Sequence, residues 1–159
     1  MDKNMEEIHT IDDLDSVSLG VSDPSGDSKV DLGRLCNALS LLHLVLGEKS
    51  WVGLYLVHDG HLILGPFQGT PACEVIAFGK GVVGTCYSQG QPIAIDDVNQ
   101  IENYICCDAT AKSEICVPIW REQNIVAILD IDLPQVHHYS DEEIQIYHGI
   151  AEKLQPLIH

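Results

Sequence analysis

The chain has 159 residues, of which 45% are hydrophobic, so it is long enough for one domain with a proper core. Its formal net charge of −16 argues against a nucleic-acid or anionic-membrane partner, because phosphate surfaces repel such a field. No secretory signal and no stretch long enough to span a bilayer is visible. We therefore expect a cytosolic protein that acts on a small zwitterionic or cationic molecule.

Residues 1–30 are rich in Asp, Ser and Gly, with a breaker at Pro24-Ser25-Gly26. This composition predicts a mobile acidic tail, although its charge would also suit a partner. From Asp31 the leucines recur at helical spacing until Gly47, so a single domain is predicted over residues 31–159.

An aromatic and apolar run from Trp51 to His58 predicts a strand, and Asp59-Gly60 predicts a tight turn into a second strand at 61–64. Residues 65–71 predict a loop, because they contain two glycines and two prolines. Short elements follow: a strand at 73–78, a helix around 85–88 and a strand at 93–95.

Residues 98–112 have no clear period and predict an irregular segment that wraps a site. Two more strands are predicted at 114–120 and 124–132, before a helix capped by Ser140. This order favours an α+β fold with one antiparallel sheet, its N- and C-terminal helices on one face and a ligand pocket on the other. Pairing of the terminal helices would also allow a homodimer.

Six cysteines are present: Cys36, Cys73, Cys86, Cys106, Cys107 and Cys116. In the cytosol we expect thiols and not a disulfide framework, and the spacing with the histidines predicts no metal site. Cys107 lies in the irregular segment and Cys73 beside a loop. Such thiols can be reactive, but free cysteines are also common as small buried hydrophobic residues.

The strand that ends in Asp130-Ile131-Asp132 places two carboxylates on one sheet face, with Glu114 at the start of the preceding strand. Like charges in apolar surroundings suit a bound cation, a metal, or an acid with a raised pKa. A solvated strand end is the alternative.

Glycines at positions 79, 81 and 84 match a dinucleotide fingerprint only superficially, since no parallel βαβ unit surrounds them. We expect no nucleotide there. Amides at the start of the following helix could instead bind a carboxylate.

Several stretches together resemble the free methionine-(R)-sulfoxide reductases, a family with the GAF fold. They are Trp51-Val-Gly-Leu-Tyr55, Leu64-Gly-Pro-Phe-Gln-Gly69, Pro71-Ala-Cys73, Gly79-Lys-Gly-Val-Val-Gly-Thr85, Ile105-Cys-Cys-Asp-Ala109, Ser113-Glu-Ile115 and Leu129-Asp-Ile-Asp132. The resemblance covers residues 35–157. It implies thiol-dependent reduction of free methionine sulfoxide with no bound cofactor and with thioredoxin as the external reductant.

The resemblance also implies a role for each matching position. Cys107 matches the nucleophile that becomes a sulfenic acid, and Cys73 matches the cysteine that resolves it as a disulfide. The remaining implied roles are acids at the sulfoxide oxygen for Glu114 and Asp132, an ammonium ligand for Asp130, and an aromatic wall for Trp51 and Tyr55.

One position departs from the family pattern, because its usual middle cysteine is Val83 here. Cys86, one helical turn further on, is a candidate for an additional resolving thiol. Two other functions stay open: a non-catalytic GAF module that binds or senses a small molecule, and a structural or adaptor protein.

Overall fold

A computed structural model describes residues 10–102, 104 and 109–159. The helices in this part of the chain are α1 (Ile11–Gly20), α2 (Ser28–Leu46), α3 (Gly81–Gln89) and α4 (Asp141–Leu154). The strands are β1 (Trp51–His58), β2 (His61–Gln68), β3 (Val75–Ala77), β4 (Ile93–Ile95), β5 (Ser113–Arg121) and β6 (Asn124–Leu133). Short 3-10 turns occupy Val98–Gln100 and Gln155–Leu157.

The strands form one sheet in the order β3-β2-β1-β6-β5-β4, and every neighbouring pair is antiparallel. Two hairpins, β1–β2 and β5–β6, join side by side through β1 and β6. Asp59 and Gly60 both have positive φ in the first turn, as a tight hairpin requires. The predicted α+β class with a single antiparallel sheet is confirmed.

One face of the sheet is covered by α1, α2 and α4. Alternate strand residues such as Val52, Leu54 and Ile115 point to this side and are fully buried against apolar side chains of these helices. Burying this apolar area supplies most of the driving force for folding. The prediction of terminal helices on one face is confirmed, and the opposite face stays available for a site.

Helix α1 corrects the predicted mobile tail over residues 1–30. Thr10 and Asp13 form a reciprocal capping box at its start, and Leu14 and Val17 are fully buried in the core below it. The Lys153 ammonium on α4 donates a hydrogen bond to the Ser18 carbonyl, 2.6 Å away. Residues 11–20 therefore belong to the folded domain, and residues 1–9 lie outside the described residues.

Strand β2 also corrects a prediction, because it continues through Pro66 to Gln68 where a loop was expected. The pairing register between β1 and β2 shifts between Gly53 and Tyr55, which is a β-bulge. Proline cannot donate a ladder hydrogen bond, and a bulge is where a sheet tolerates one. The strand can therefore resume pairing after Pro66, with Phe67 opposite Gly53.

Smaller differences concern element ends. Helix α3 begins at Gly81, four residues before the predicted start, and β3 spans only Val75–Ala77. The predicted cap of α4 is confirmed, since the Ser140 hydroxyl accepts a hydrogen bond from the Glu143 amide at 3.1 Å. Among the described residues, no helix is long and apolar enough to cross a membrane.

Candidate functional site

The site lies on the sheet face that carries α3, where β1, β5 and β6 run side by side. The register places Glu114 opposite Asp132 and Cys116 opposite Asp130 on β5 and β6. On the other side of β6, Trp51 pairs with Asp132. Because side chains alternate along a strand, all of these residues point to the same face. The predicted meeting of the three carboxylates is therefore confirmed.

A small pocket opens between this part of the sheet, the start of α3 and Tyr104. Its empty volume is about 320 Å³, including the part open to solvent. The residues that line it are Tyr55, Ile76, Lys80, Gly81, Val82, Val83, Tyr104, Glu114, Asp130 and Asp132. Three carboxyl groups and one ammonium converge on it, which suits a small charged molecule.

The carboxyl groups are linked by hydrogen bonds. Glu114 and Asp130 are hydrogen-bonded to each other, and the Tyr104 hydroxyl donates a hydrogen bond to Glu114. The Cys116 thiol lies between the two acids, with its Sγ atom 3.4 Å from Glu114 Oε1 and 3.3 Å from Asp130 Oδ1. Sharing of protons among these groups accounts for their close approach.

Burial dominates the electrostatics of these acids. Removal from water raises the pKa of Glu114, although hydrogen bonds from Tyr104, Cys116 and Asp130 act in the opposite direction. Burial raises the pKa of Asp130 well above its usual range, and the charges of Asp132 and Glu114 raise it further. Burial therefore favours the protonated form of at least one of these carboxyls, which is one of the possibilities that the sequence left open for acids on one sheet face.

The predicted aromatic residues Trp51 and Tyr55, both on β1, form a stack with Phe67 on β2. Trp51 is almost completely buried, with ring centroids 5.4 Å from Phe67 and 6.1 Å from Tyr55. The Tyr55 hydroxyl donates a hydrogen bond to the Cys73 carbonyl at 3.0 Å. Tyr55 thus lines the pocket and also holds the segment that carries Cys73 against the sheet.

The cysteines divide into two groups. Cys73 is disulfide-bonded, whereas Cys36, Cys86 and Cys116 are free thiols. Cys107, the predicted nucleophile, lies outside the described residues. Cys86 is fully buried on α3, where its thiol donates a hydrogen bond to the Gln91 carbonyl at 3.4 Å. Burial raises the pKa of Cys86 to about 12.

The glycine pattern before α3 has a packing explanation. A Cβ atom on Gly84 would lie 2.5 Å from the carbonyl oxygen of Ala77, so only glycine lets α3 approach the end of β3 this closely. Gly81 has a positive φ at the first residue of the helix. This close approach needs no nucleotide, and it brings the amino end of α3 to the pocket.

Two site residues escaped the sequence analysis, Cys116 and Tyr104. Alternation along β5 would have found Cys116, because it lies two residues from Glu114 and therefore on the same face. Tyr104 lies in a segment without a clear period, so no sequence pattern marked it as a site residue. The ligand atoms of Glu114, Cys116 and Asp130 lie within 4.8 Å of one another. The close contacts of the Cys116 thiol with both acids account for this spacing.

Comparison with known proteins assigns the chain to a class and then to a family. The GAF domain model matches residues 34–159, so this is a GAF-domain protein. The free methionine-R-sulfoxide reductase of Saccharomyces cerevisiae is 44% identical over 134 residues, 79% of this chain and 72% of that protein. The reductase of the same name from Escherichia coli is 37% identical over 127 residues, 80% of this chain and 77% of that protein.

A solved structure shows the same relationship in three dimensions. The free methionine-R-sulfoxide reductase from Neisseria meningitidis, in complex with its substrate, has a TM-score of 0.78 and 27% identity. The alignment covers 99% of this chain and 91% of that one. This chain belongs to the free methionine-R-sulfoxide reductase family of GAF-domain proteins.

Proposed function

We propose that this protein reduces the R epimer of free L-methionine sulfoxide to methionine. The observation that carries the proposal is the convergence of buried, hydrogen-bonded carboxyl groups, an aromatic stack and the Cys73 segment on one sheet face. Reduction of a sulfoxide needs a thiol at sulfur and a proton at oxygen, since oxide is a poor leaving group. Acids kept protonated by burial can supply that proton, a type of catalysis worth ~10²–10⁴-fold.

In the proposed reaction, the Cys107 thiolate attacks the sulfoxide sulfur while Glu114 delivers a proton to its oxygen and the Asp132 carboxylate relays a second proton from solvent. The doubly protonated oxygen leaves as water, which leaves Cys107 joined to the substrate sulfur in a sulfonium adduct. Water then attacks the Cys107 sulfur and loses one proton, methionine leaves with the electron pair of the S–S bond, and Cys107 becomes a sulfenic acid. The Cys73 thiol then displaces water from this sulfenic acid and forms a Cys73–Cys107 disulfide. The dithiol of thioredoxin returns both cysteines to thiols.

The binding of the substrate follows the charges of the pocket. Asp130 would hold the ammonium group, while Trp51 and Tyr55 would enclose the S-methyl group. The amides at the start of α3, with Lys80 beside them, would take the carboxylate. A substrate blocked at either end would leave a buried charge without its partner, which costs about 1–3 kcal/mol or more. The free amino acid is therefore the expected substrate, and peptide-bound methionine sulfoxide is not.

Among the described cysteines, Cys73 is disulfide-bonded and the others are free thiols. A cysteine that forms a disulfide is what the resolving role requires, and this supports that role for Cys73. Cys107 as its partner follows from the family resemblance. A cytosolic location, thioredoxin as the reductant and a homodimer are parts of the same proposal that rest on sequence alone.

A coupled assay tests the proposal against its alternatives. Thioredoxin-dependent oxidation of NADPH is expected with free L-methionine-(R)-sulfoxide, with a much lower rate for the S epimer. A non-catalytic sensory GAF module would bind the substrate without turnover, and a structural protein would do neither. Absence of methionine release from the R epimer, with fully reduced protein, would refute the enzymatic function.

A further inference from the structure

We propose that Glu114 and Asp130 form an acid that the amino group of the substrate switches on. An ammonium group beside Asp130 moves the proton shared by the two carboxyls onto Glu114, and Tyr104 keeps Glu114 ionised until then. The inference rests on the proposed function and deepens it, because it makes the substrate's own amino group a requirement for proton delivery.

The geometry provides a direct path for this proton. Glu114 on β5 and Asp130 on β6 are hydrogen-bonded to each other, so the transfer crosses a single hydrogen bond. The two side chains are each 5% exposed, and the strand pairing fixes their backbones. Cys116, within 3.4 Å of both acids, fills the space between them. No rearrangement of the chain is needed.

Without substrate, the contacts favour a proton on Asp130. Glu114 accepts a hydrogen bond from Tyr104, and a donor of this kind stabilises a carboxylate. Asp130 lacks that donor and shares its strand face with Asp132, whose charge disfavours ionisation. Burial raises the pKa of the Tyr104 phenol, which therefore stays protonated and able to donate.

The ionisable groups that face this pair come from every surrounding element. In the part of the chain that the structure describes, they are Tyr55 on β1, Lys80 and Cys86 beside and on α3, Tyr104, Cys116 on β5, and Asp132 on β6. Lys80 is the one basic residue among the described lining of the pocket. A substrate ammonium would thus enter a site with a strong excess of acidic groups.

Arrival of the ammonium reverses the preference. A cation in contact with Asp130 stabilises its carboxylate, so the shared proton passes to Glu114 and the total number of protons is unchanged. Protonated Glu114 can then protonate the sulfoxide oxygen. A sulfoxide that lacks the amino group leaves Glu114 ionised. Selectivity for the free amino acid should therefore appear in the chemical step as well as in affinity.

Carbon-13 NMR of labelled Asp and Glu carboxyl groups can follow the proton directly, with Glu114→Gln and Asp130→Asn to assign the signals. The probes are L-methionine, which cannot react further, and 4-(methylthio)butanoate, which lacks only the amino group. We expect methionine to shift Glu114 toward the carboxylic acid and Asp130 toward the carboxylate, with no such exchange for the second probe. Equal responses to both probes, or no response to saturating methionine, would overturn the proposal.

Tyr104→Phe provides a second test, because it removes the donor and keeps the ring. The measured quantity is the ratio of single-turnover rate constants for methionine sulfoxide and 4-(methylsulfinyl)butanoate. We expect a ratio of roughly 100 or more in the unmodified protein, within the range of acid catalysis. In Tyr104→Phe it should fall at least about fivefold, as expected for loss of a hydrogen bond to a charged group.

Tyr87→Phe is the matched control. Tyr87 lies on α3, stacks on Phe78 with centroids 3.9 Å apart and does not line the pocket. The ratio of rate constants in Tyr87→Phe should equal that of the unmodified protein. The same ratio in Tyr104→Phe would show that Tyr104 does not control the protonation of Glu114. Failure of the unmodified protein to release methionine would refute the proposed function instead, while the carboxyl signals with methionine still decide the proton transfer.

Discussion

At the scale of single residues, the pocket combines features that have opposite effects on sulfoxide chemistry. Buried carboxyls favour the protonated acid that a sulfoxide oxygen needs, but the same surroundings disfavour a thiolate. Burial and the charges of Asp130 and Glu114 raise the pKa of Cys116 well above its usual range. A thiol at that position would therefore react slowly. The proposal therefore gives the nucleophilic role to Cys107 and not to Cys116.

Mutation of the two proposed redox cysteines separates their roles. Cys107→Ser should abolish methionine release in a single turnover, because the attacking sulfur is gone. Cys73→Ser should still release about one methionine per protein before it stalls as a sulfenic acid. Methionine is measured by quenched-flow chromatography, with Cys36→Ser as the control. Equal yields from the first two variants would refute the assignment of roles.

Cys86 is expected to take no part in recycling. Its thiol is fully buried, donates to the Gln91 carbonyl and has a pKa raised to about 12, so almost none is ionised at neutral pH. Cys86→Ser keeps a donor for that carbonyl, and steady-state thioredoxin turnover should stay within about twofold of the unmodified protein. A large loss of recycling with normal single-turnover release would show that Cys86 replaces the cysteine missing at Val83. A mapped Cys73–Cys86 bridge would show the same.

At the scale of secondary-structure elements, the sequence was informative where local chemistry decides the structure. The Asp59-Gly60 turn, the Ser140 cap and the period-two acids of β6 were all predictable because each depends on a few adjacent residues. The second half of β2, from Gly65 to Gln68, was not predictable, since Pro66 is tolerated through a bulge that needs β1 as its partner. Long-range pairing of this kind leaves no signal in the segment itself.

Helix α1 was missed for a related reason. Its ten residues contain only two fully buried side chains, Leu14 and Val17, among acids and serines. A helix this short is only marginally stable alone. Its stability comes from contacts with α2 and α4, which a local pattern does not reveal.

Truncation of Leu14 tests whether α1 is part of the folded domain. Leu14→Ala should lower the free energy of unfolding by about 2–5 kcal/mol, the usual range for a fully buried leucine. Leu19→Ala on the same helix is the control, because Leu19 is 80% exposed and should change stability by less than about 0.5 kcal/mol. Equal urea midpoints for the two variants would mean that α1 is not docked in solution.

At the scale of the whole molecule, one sheet separates two environments. The face covered by α1, α2 and α4 holds the apolar core, while the other carries acids whose charges disfavour folding. A buried carboxyl with no cation is expensive in water-poor surroundings. The site is therefore expected to reduce stability in exchange for a protonated acid, a trade that is common at functional sites.

The pH dependence of stability follows from the pKa shifts. The pKa of Asp130 is raised in the folded protein, so the folded state keeps its proton over a pH range in which the unfolded state has lost it. The stability that this proton gives is lost as the pH rises through the folded-state pKa. Stability should fall as the pH rises from about 4, by about 1.4 kcal/mol for each pH unit over which only the folded state holds the proton. For a domain of this size, that corresponds to roughly 3–6 °C of Tm per pH unit. The hydrogen bond with His138 lowers the pKa of Asp96, so the stability that Asp96 contributes is lost only in acid.

Two variants, measured in added salt, separate the effect of the buried acid on stability from the effect of the net charge of −16. Repulsion between surface charges also grows with pH, but 0.5 M NaCl screens it, whereas a buried proton is screened far less. In high salt, Asp130→Asn should raise the Tm at pH 8 by several degrees and flatten the slope between pH 5 and 8. The exposed Glu48→Gln should follow the unmodified protein, and calorimetry measures all three. Parallel slopes for Asp130→Asn and the unmodified protein would mean that Asp130 carries no extra proton in the folded state.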